Sequence, residues 1–131
     1  MALDYGDVRI GIAFSDLLQT IASPFQTYRR KTLPEDLNYF LNLVKEKEVS
    51  KIILGLPVNM DGSVGERALK TKEFGEELSK ATGLEVEYVD ERLTSVEAEE
   101  ILISSGVRRE KRKEVIDKIA AALILESYLN R

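Results

Sequence analysis

Leu3-Asp4-Tyr5-Gly6-Asp7-Val8-Arg9-Ile10-Gly11-Ile12-Ala13-Phe14 decides the fold. From Val8 to Phe14 apolar and small or polar residues alternate with the period of a strand, and Gly6-Asp7 supplies a tight turn from the short segment before it. Two antiparallel strands follow. A third fits Ile21 to Tyr28, at an edge because Pro24 cannot donate to a ladder, and Arg29-Arg30-Lys31 closes it.

Working outward from this meander, Leu37, Phe40, Leu41 and Val44 recur at helical spacing, with Thr32 as cap and Pro34 in the first turn. Lys51 to Leu56 is the nearly all-apolar run of a central strand covered on both faces. A turn-rich loop, Pro57 to Gly65, leads to a helix from Glu66 to about Thr82 that Gly83 ends. Glu85 to Val89 reads as a fifth strand. Thr94-Ser95-Val96-Glu97 matches a capping box and opens a helix through about Ser104, which Gly106 terminates. Residues Arg108 to Lys113 read as a charged connector. The last helix, about Lys113 to Leu129, is apolar enough to pack deeply on the sheet. The order predicts an α/β fold: a mixed five-stranded sheet, a three-strand meander and then two parallel strands, flanked by about four helices.

At 131 residues this is the length of one domain with a real core, 1–131. No apolar run approaches the roughly 18 residues of a membrane span, and the N-terminus has no secretory pattern, so a cytoplasmic protein is expected. With no Cys and no His, disulfide scaffolds, thiol and imidazole nucleophiles and soft-metal sites are excluded. The net charge of -4 argues against an indiscriminate polyanion binder, although a local basic patch could overcome it.

Oxygen ligands remain, and they favour Mg²⁺ or Mn²⁺, as one or two ions. Asp4 follows the first apolar segment, Asp90-Glu91 follows the fifth strand, and Asp117 lies on the apolar face of the last helix with Ala120, Ala121, Ile124 and Tyr128. With the first and fourth strands adjacent and parallel in the centre, these acids emerge at one edge. Asp117 is expected in the first helical turn, where an anion is favoured, with Lys113 or Lys118 as the partner it would otherwise need. Of Asp90 and Glu91 only one should face the ion, because neighbours on a strand point to opposite sides. Ser15-Asp16 reads as a strand-ending turn rather than a fourth ligand.

Four ordered motifs resemble the YqgF/RuvX family of the RNase H-like superfamily. They are Leu3 to Asp16, Gly55-Leu56-Pro57-Val58-Asn59-Met60-Asp61-Gly62, Asp90-Glu91-Arg92-Leu93-Thr94-Ser95, and Ile116-Asp117-Lys118-Ile119-Ala120-Ala121. The resemblance implies an RNase H-like fold and metal-dependent hydrolysis of phosphodiester bonds in structured nucleic acid. Members are described as Holliday-junction resolvases and as nucleases maturing the precursor of small-subunit ribosomal RNA. It also places the metal ligands at Asp4, Glu91 and Asp117, with Asp90 less favoured than Glu91. One departure stands out: only Met1-Ala2-Leu3 precede Asp4, so the first strand is short and is expected to hold Asp4 loosely.

For nucleic-acid contact the candidates are Arg108, Arg109, Lys111 and Arg112, within a run carrying five positive charges in six residues. Solvated surface is the plainer reading of such a run. Asn59 in its turn-rich loop could meet phosphate or merely shape the turn, and Arg67 could meet phosphate or pair with Glu66 or Glu91. Two other functions compete. An Asp-Tyr-Gly hairpin also resembles the phosphate turn of actin- and hexokinase-like phosphotransferases, yet one such domain lacks their ATP cleft unless it forms a homodimer. A noncatalytic nucleic-acid or ribosome-binding module is the other.

Overall fold

The computed structural model describes residues 1–57, 65–90 and 109–130, with backbone alone over 109–114. Its strands are β1 (Ala2–Tyr5), β2 (Arg9–Ser15), β3 (Ala22–Arg29), β4 (Ile52–Leu56) and β5 (Val86–Asp90). The described helices are α1 (Leu33–Glu46), α2 (Glu66–Thr82) and α3 (Arg109–Leu129). The expected helix over Thr94 to Ser104 and the loop from Val58 to Val64 lie outside the described residues. The sheet order is β3-β2-β1-β4-β5. β1 pairs antiparallel with β2 and parallel with β4, as the sequence predicts, and β4 pairs parallel with β5. This is the α/β, RNase H-like arrangement.

Strand alternation sends two different kinds of residue to the two faces. Leu3, Tyr5, Ile10, Ile12 and Leu54 pack with Phe40, Val44, Phe74 and Leu78 of α1 and α2. On the other face Ala2, Ala13 and Ile53 meet Ala121, Ile124 and Leu125 of α3. Large side chains hold α1 and α2 away from the sheet, whereas alanines and Gly11 let α3 lie close to it. That asymmetry positions the site.

Local chemistry fixes the helix ends. Thr32 caps α1, its hydroxyl oxygen accepting from the Glu35 amide at 3.3 Å while its hydroxyl donates to Glu35 Oε1 at 3.0 Å, with Pro34 in the first turn. Gly83 ends α2 in the left-handed region, φ 73°, donating its amide to Ser79 O at 2.8 Å.

Several boundaries differ from the sequence reading. β2, β3 and β5 each lie one residue later than expected and β4 starts one residue later, so Ser15, Arg29 and Asp90 belong to strands. The segment read as a charged connector is helical from Arg109 onward. Arg, Lys and Glu are good helix formers, and with no Gly or Pro between Arg109 and Leu129 nothing stops the helix from starting early.

β3 forms a sheet edge. Its ladder with β2 shifts register between Ile12 and Ala13, and Pro24 sits opposite Ala13 at that bulge. Beneath β3, Asp36 of α1 is fully buried and fully engaged. Its Oδ1 accepts from Tyr28 Oη at 2.8 Å and from the Lys31 amide at 2.9 Å, and its Oδ2 from Arg30 Nε at 3.1 Å. Arg30 also donates through Nη1 to Tyr5 Oη at 2.6 Å and to Gly6 O at 3.3 Å, tying the β1–β2 turn to α1. A buried carboxylate so paired costs roughly 3–5 kcal/mol to break, so this network anchors the hairpin that bears Asp4.

Burial, reinforced by the bond to Asp36, pushes the Tyr28 hydroxyl up to about 12. Its folded value exceeds the unfolded value near 10, so its contribution to stability is full below pH 10 and is lost as pH rises toward about 12. Tyr28→Phe is expected to flatten the fall in denaturant midpoint across that window. An unchanged alkaline profile would show that Tyr28 does not titrate there.

Candidate functional site

Asp4 lies on β1 directly opposite Gly11 of β2. Both positions face α3, because Ala2 and Ala13, two residues away on the same strands, pack against it. A Cβ at Gly11 would run into the main-chain carbonyl of Asp117. The backbone of α3 therefore rests on the glycine, and Asp4 and Asp117 are both neighbours of that contact. Asp4 is 8% exposed, within a strand of four buried residues. Although β1 is short, its ladder with β2 runs from Ala2 to Tyr5, and Leu3 and Tyr5 anchor it in the core on the opposite face.

Asp117 is not in a first helical turn, because α3 begins at Arg109. The helix-terminus argument for its charge does not apply. Nor is Lys118 its partner: Arg9 donates through Nε to Asp117 Oδ2 at 2.7 Å, with the two side chains 34% and 18% exposed. The sequence reading missed Arg9 because the two residues are far apart in the chain. Its in-phase position two residues before Gly11 was the available signal. A half-exposed pair of this kind is worth only about 1 kcal/mol, so its consequence is orientation of the carboxylate more than stability.

Asp90 pairs with Leu56 at the end of β5, at the same sheet edge as Asp4. It alternates in phase with Val86 and Tyr88, which pack on the α1 and α2 side, while Val89 packs on the α3 side. The strand thus turns Asp90 away from the face that Asp4 uses. Glu91, Asn59 and Arg108 lie outside the described residues, as do the side chains of Arg109, Lys111 and Arg112. Arg67 is exposed near the start of α2, in the other helical layer, with no ion pair to Glu66 or any other described residue. Asp16 forms the expected turn: amides of Ile21 and Thr20 and the Thr20 hydroxyl donate to it, and these bonds hold its carboxyl below the usual range.

Among the described residues no group of three or more acidic side chains is close enough to hold a metal. Asp4 on the strand face toward α3 and Asp117, whose main-chain carbonyl sits on Gly11 opposite Asp4 and whose Oδ1 takes no hydrogen bond from a described residue, are both oxygen donors of the kind a hard cation accepts. Cavities of about 290 and 390 Å³ lie elsewhere and are lined by neither Asp4 nor Asp117.

A β3-β2-β1-β4-β5 sheet, antiparallel and then parallel, with helices on both faces, is the scaffold of RNase H-like nucleases. The chain belongs to the RuvX family, whose description is Holliday junction resolvase and whose profile matches residues 1–131. A relative from Halothermothrix orenii is 52% identical over 130 residues, covering 99% of this chain and 93% of its own. One from Syntrophomonas wolfei is 48% identical over 130 residues, with 99% and 92% covered. A third, from Halalkalibacterium halodurans, is 47% identical over 133 residues, with 100% and 95% covered. Each bears, provisionally, the name pre-16S rRNA nuclease.

Proposed function

We propose that the chain is a single-domain, metal-dependent endonuclease that hydrolyses phosphodiester bonds in structured nucleic acid, with the 5′ end of pre-16S rRNA as its first candidate substrate and a four-way DNA junction as its second. The observation that carries this reading is that Gly11 has Asp4 as its strand partner and the main chain of Asp117 seated on it. The names of the relatives favour the RNA, and the family description favours the junction.

Asp4 and Asp117 would hold the ion, with Glu91 as third ligand in preference to Asp90, whose strand phase is wrong. Mg²⁺ or Mn²⁺, when bound, supplies Lewis-acid activation of water and stabilisation of charge on the phosphate. Asp4, fixed by a strand buried in the core, sets the geometry from below. Asp117 is set from above by the seat of α3 on Gly11 and by Arg9. Arg108, Arg109, Lys111 and Arg112 contact the nucleic-acid backbone, and Asn59 and Arg67 are peripheral candidates for the same task. No helix among the described residues is long and apolar enough to cross a membrane. Either substrate would be met in the cytoplasm.

The test is incubation with a ribosomal-RNA precursor and with a four-way DNA junction, each with Mg²⁺, Mn²⁺ or chelator. Strand cleavage that needs the ion and is confined to one substrate is the expected result. Tight binding without turnover under every condition would replace the proposal with a noncatalytic module. Nucleotide hydrolysis without strand cleavage would replace it with a phosphotransferase-like activity.

A further inference from the structure

Arg9 lies directly opposite Arg29 across the β2–β3 ladder. Side chains on directly opposed residues share a face, with Cβ atoms about 5 Å apart, and like charges so placed repel. The face is that of α3, because Arg9 reaches Asp117 from it and Tyr28, next to Arg29, is committed to the opposite core. One charge of the pair is balanced: Arg9 uses Nε on Asp117 Oδ2. Its two terminal nitrogens make no hydrogen bond to a described residue. Arg29 is exposed and forms no ion pair with a described residue.

A repulsive cross-strand pair is an odd choice for an edge strand unless something anionic fills the gap. A guanidinium presents five donors in a planar fork matched to phosphate oxygens, and four of those on Arg9 are unspent on any described residue. We infer that Arg9 and Arg29 together form a seat for a backbone phosphate of the nucleic acid, on the β3 side of the acidic centre. The inference rests on the nuclease reading and deepens it, by assigning a contact on the sheet in addition to the basic run at the start of α3. Arg9 then has two tasks. Its Nε orients Asp117, and its terminal nitrogens grip the strand beside the bond to be cut, so substrate and carboxylate are aligned by one planar group.

The experiment measures binding of a fluorescein-labelled structured RNA and of a labelled four-way DNA junction in chelator, across a series of salt concentrations. Removing one phosphate interaction should reduce the slope of log K against log salt by about 0.9 on duplex DNA and about 0.7 on single strands. Arg29→Gln is expected to bind several-fold more weakly with a slope shallower by about one, and Arg29→Lys to restore the slope. Lys80→Gln makes the same change of charge near the C-terminal end of α2 and should leave the slope as in the unmodified protein. Arg9→Lys keeps a charge but loses the fork, and should weaken binding with little change in slope. Arg29→Gln should melt at or slightly above the temperature of the parent, because the repulsion with Arg9 is relieved. An unaltered slope for Arg29→Gln on both nucleic acids, or an equal fall for Lys80→Gln, would overturn the phosphate seat while leaving the nuclease reading intact. No binding of either nucleic acid by the unmodified protein would overturn both.

Discussion

Asp4→Asn is expected to reduce divalent-dependent cleavage to background, a loss of more than about 100-fold, which is the upper end of what even indirect metal partners cost. The substitution keeps the shape of the side chain and removes its charge, so a bound ion would lose the ligand that Asp4 is proposed to supply. Folding should survive. Asn has nearly the volume of Asp, and Leu3 and Tyr5 anchor the strand in the core on the opposite face, so the melting temperature should stay close to that of the parent. Asp117→Asn should abolish activity in the same way, with a small additional destabilisation of about 1 kcal/mol from the weakened pair with Arg9. Cleavage assays on whichever nucleic acid the parent protein cuts, with circular dichroism as the folding control, give the answer. Undiminished cleavage by both variants would refute the assignment of the acids.

Gly11→Ala carries the largest expected effect on the fold. The added methyl group would overlap main-chain atoms of Asp117 and Lys118, which unlike the end of a flexible side chain cannot swing aside. Helix α3 would have to lift from β2, opening the alanine-rich interface along its length. Overpacking of this kind costs about 1–3 kcal/mol or more, and at roughly 4 °C per kcal/mol for a domain of this size a drop near 10 °C in melting temperature is expected. Cleavage should fall further than stability alone explains, because Asp117 moves away from Asp4 when the helix lifts. A variant with full activity and unchanged melting temperature would mean that the helix does not depend on the glycine for its seat.

Much of this arrangement was legible in the chain. The meander, the central apolar strand, the cap at Thr32 and the stop at Gly83 follow from strictly local signals, and local signals are what a sequence displays most directly. Asp4 and Asp117 could be picked out as acids set among apolar residues. Arg9 as the partner of Asp117 was not legible, since the pairing is made by a helix folding back across the sheet from the far end of the chain. The nearer lysine, Lys118, looked adequate by spacing alone. Gly11 was visible as a glycine within a strand, a mark of close approach, but what approaches it is decided only by tertiary packing. The early start of α3 was hidden because dense charge marks solvated loops as well as helix ends, although the residues concerned favour helix.

The bulge and Pro24 on β3 bear on how copies of this molecule can meet. A rim that is kinked and lacks a donor cannot template a foreign ribbon, so the sheet will not grow sideways from that margin into a continuous two-molecule sheet or a fibre. Self-association along that flank would therefore have to be built from side chains rather than from a shared ladder of main-chain bonds.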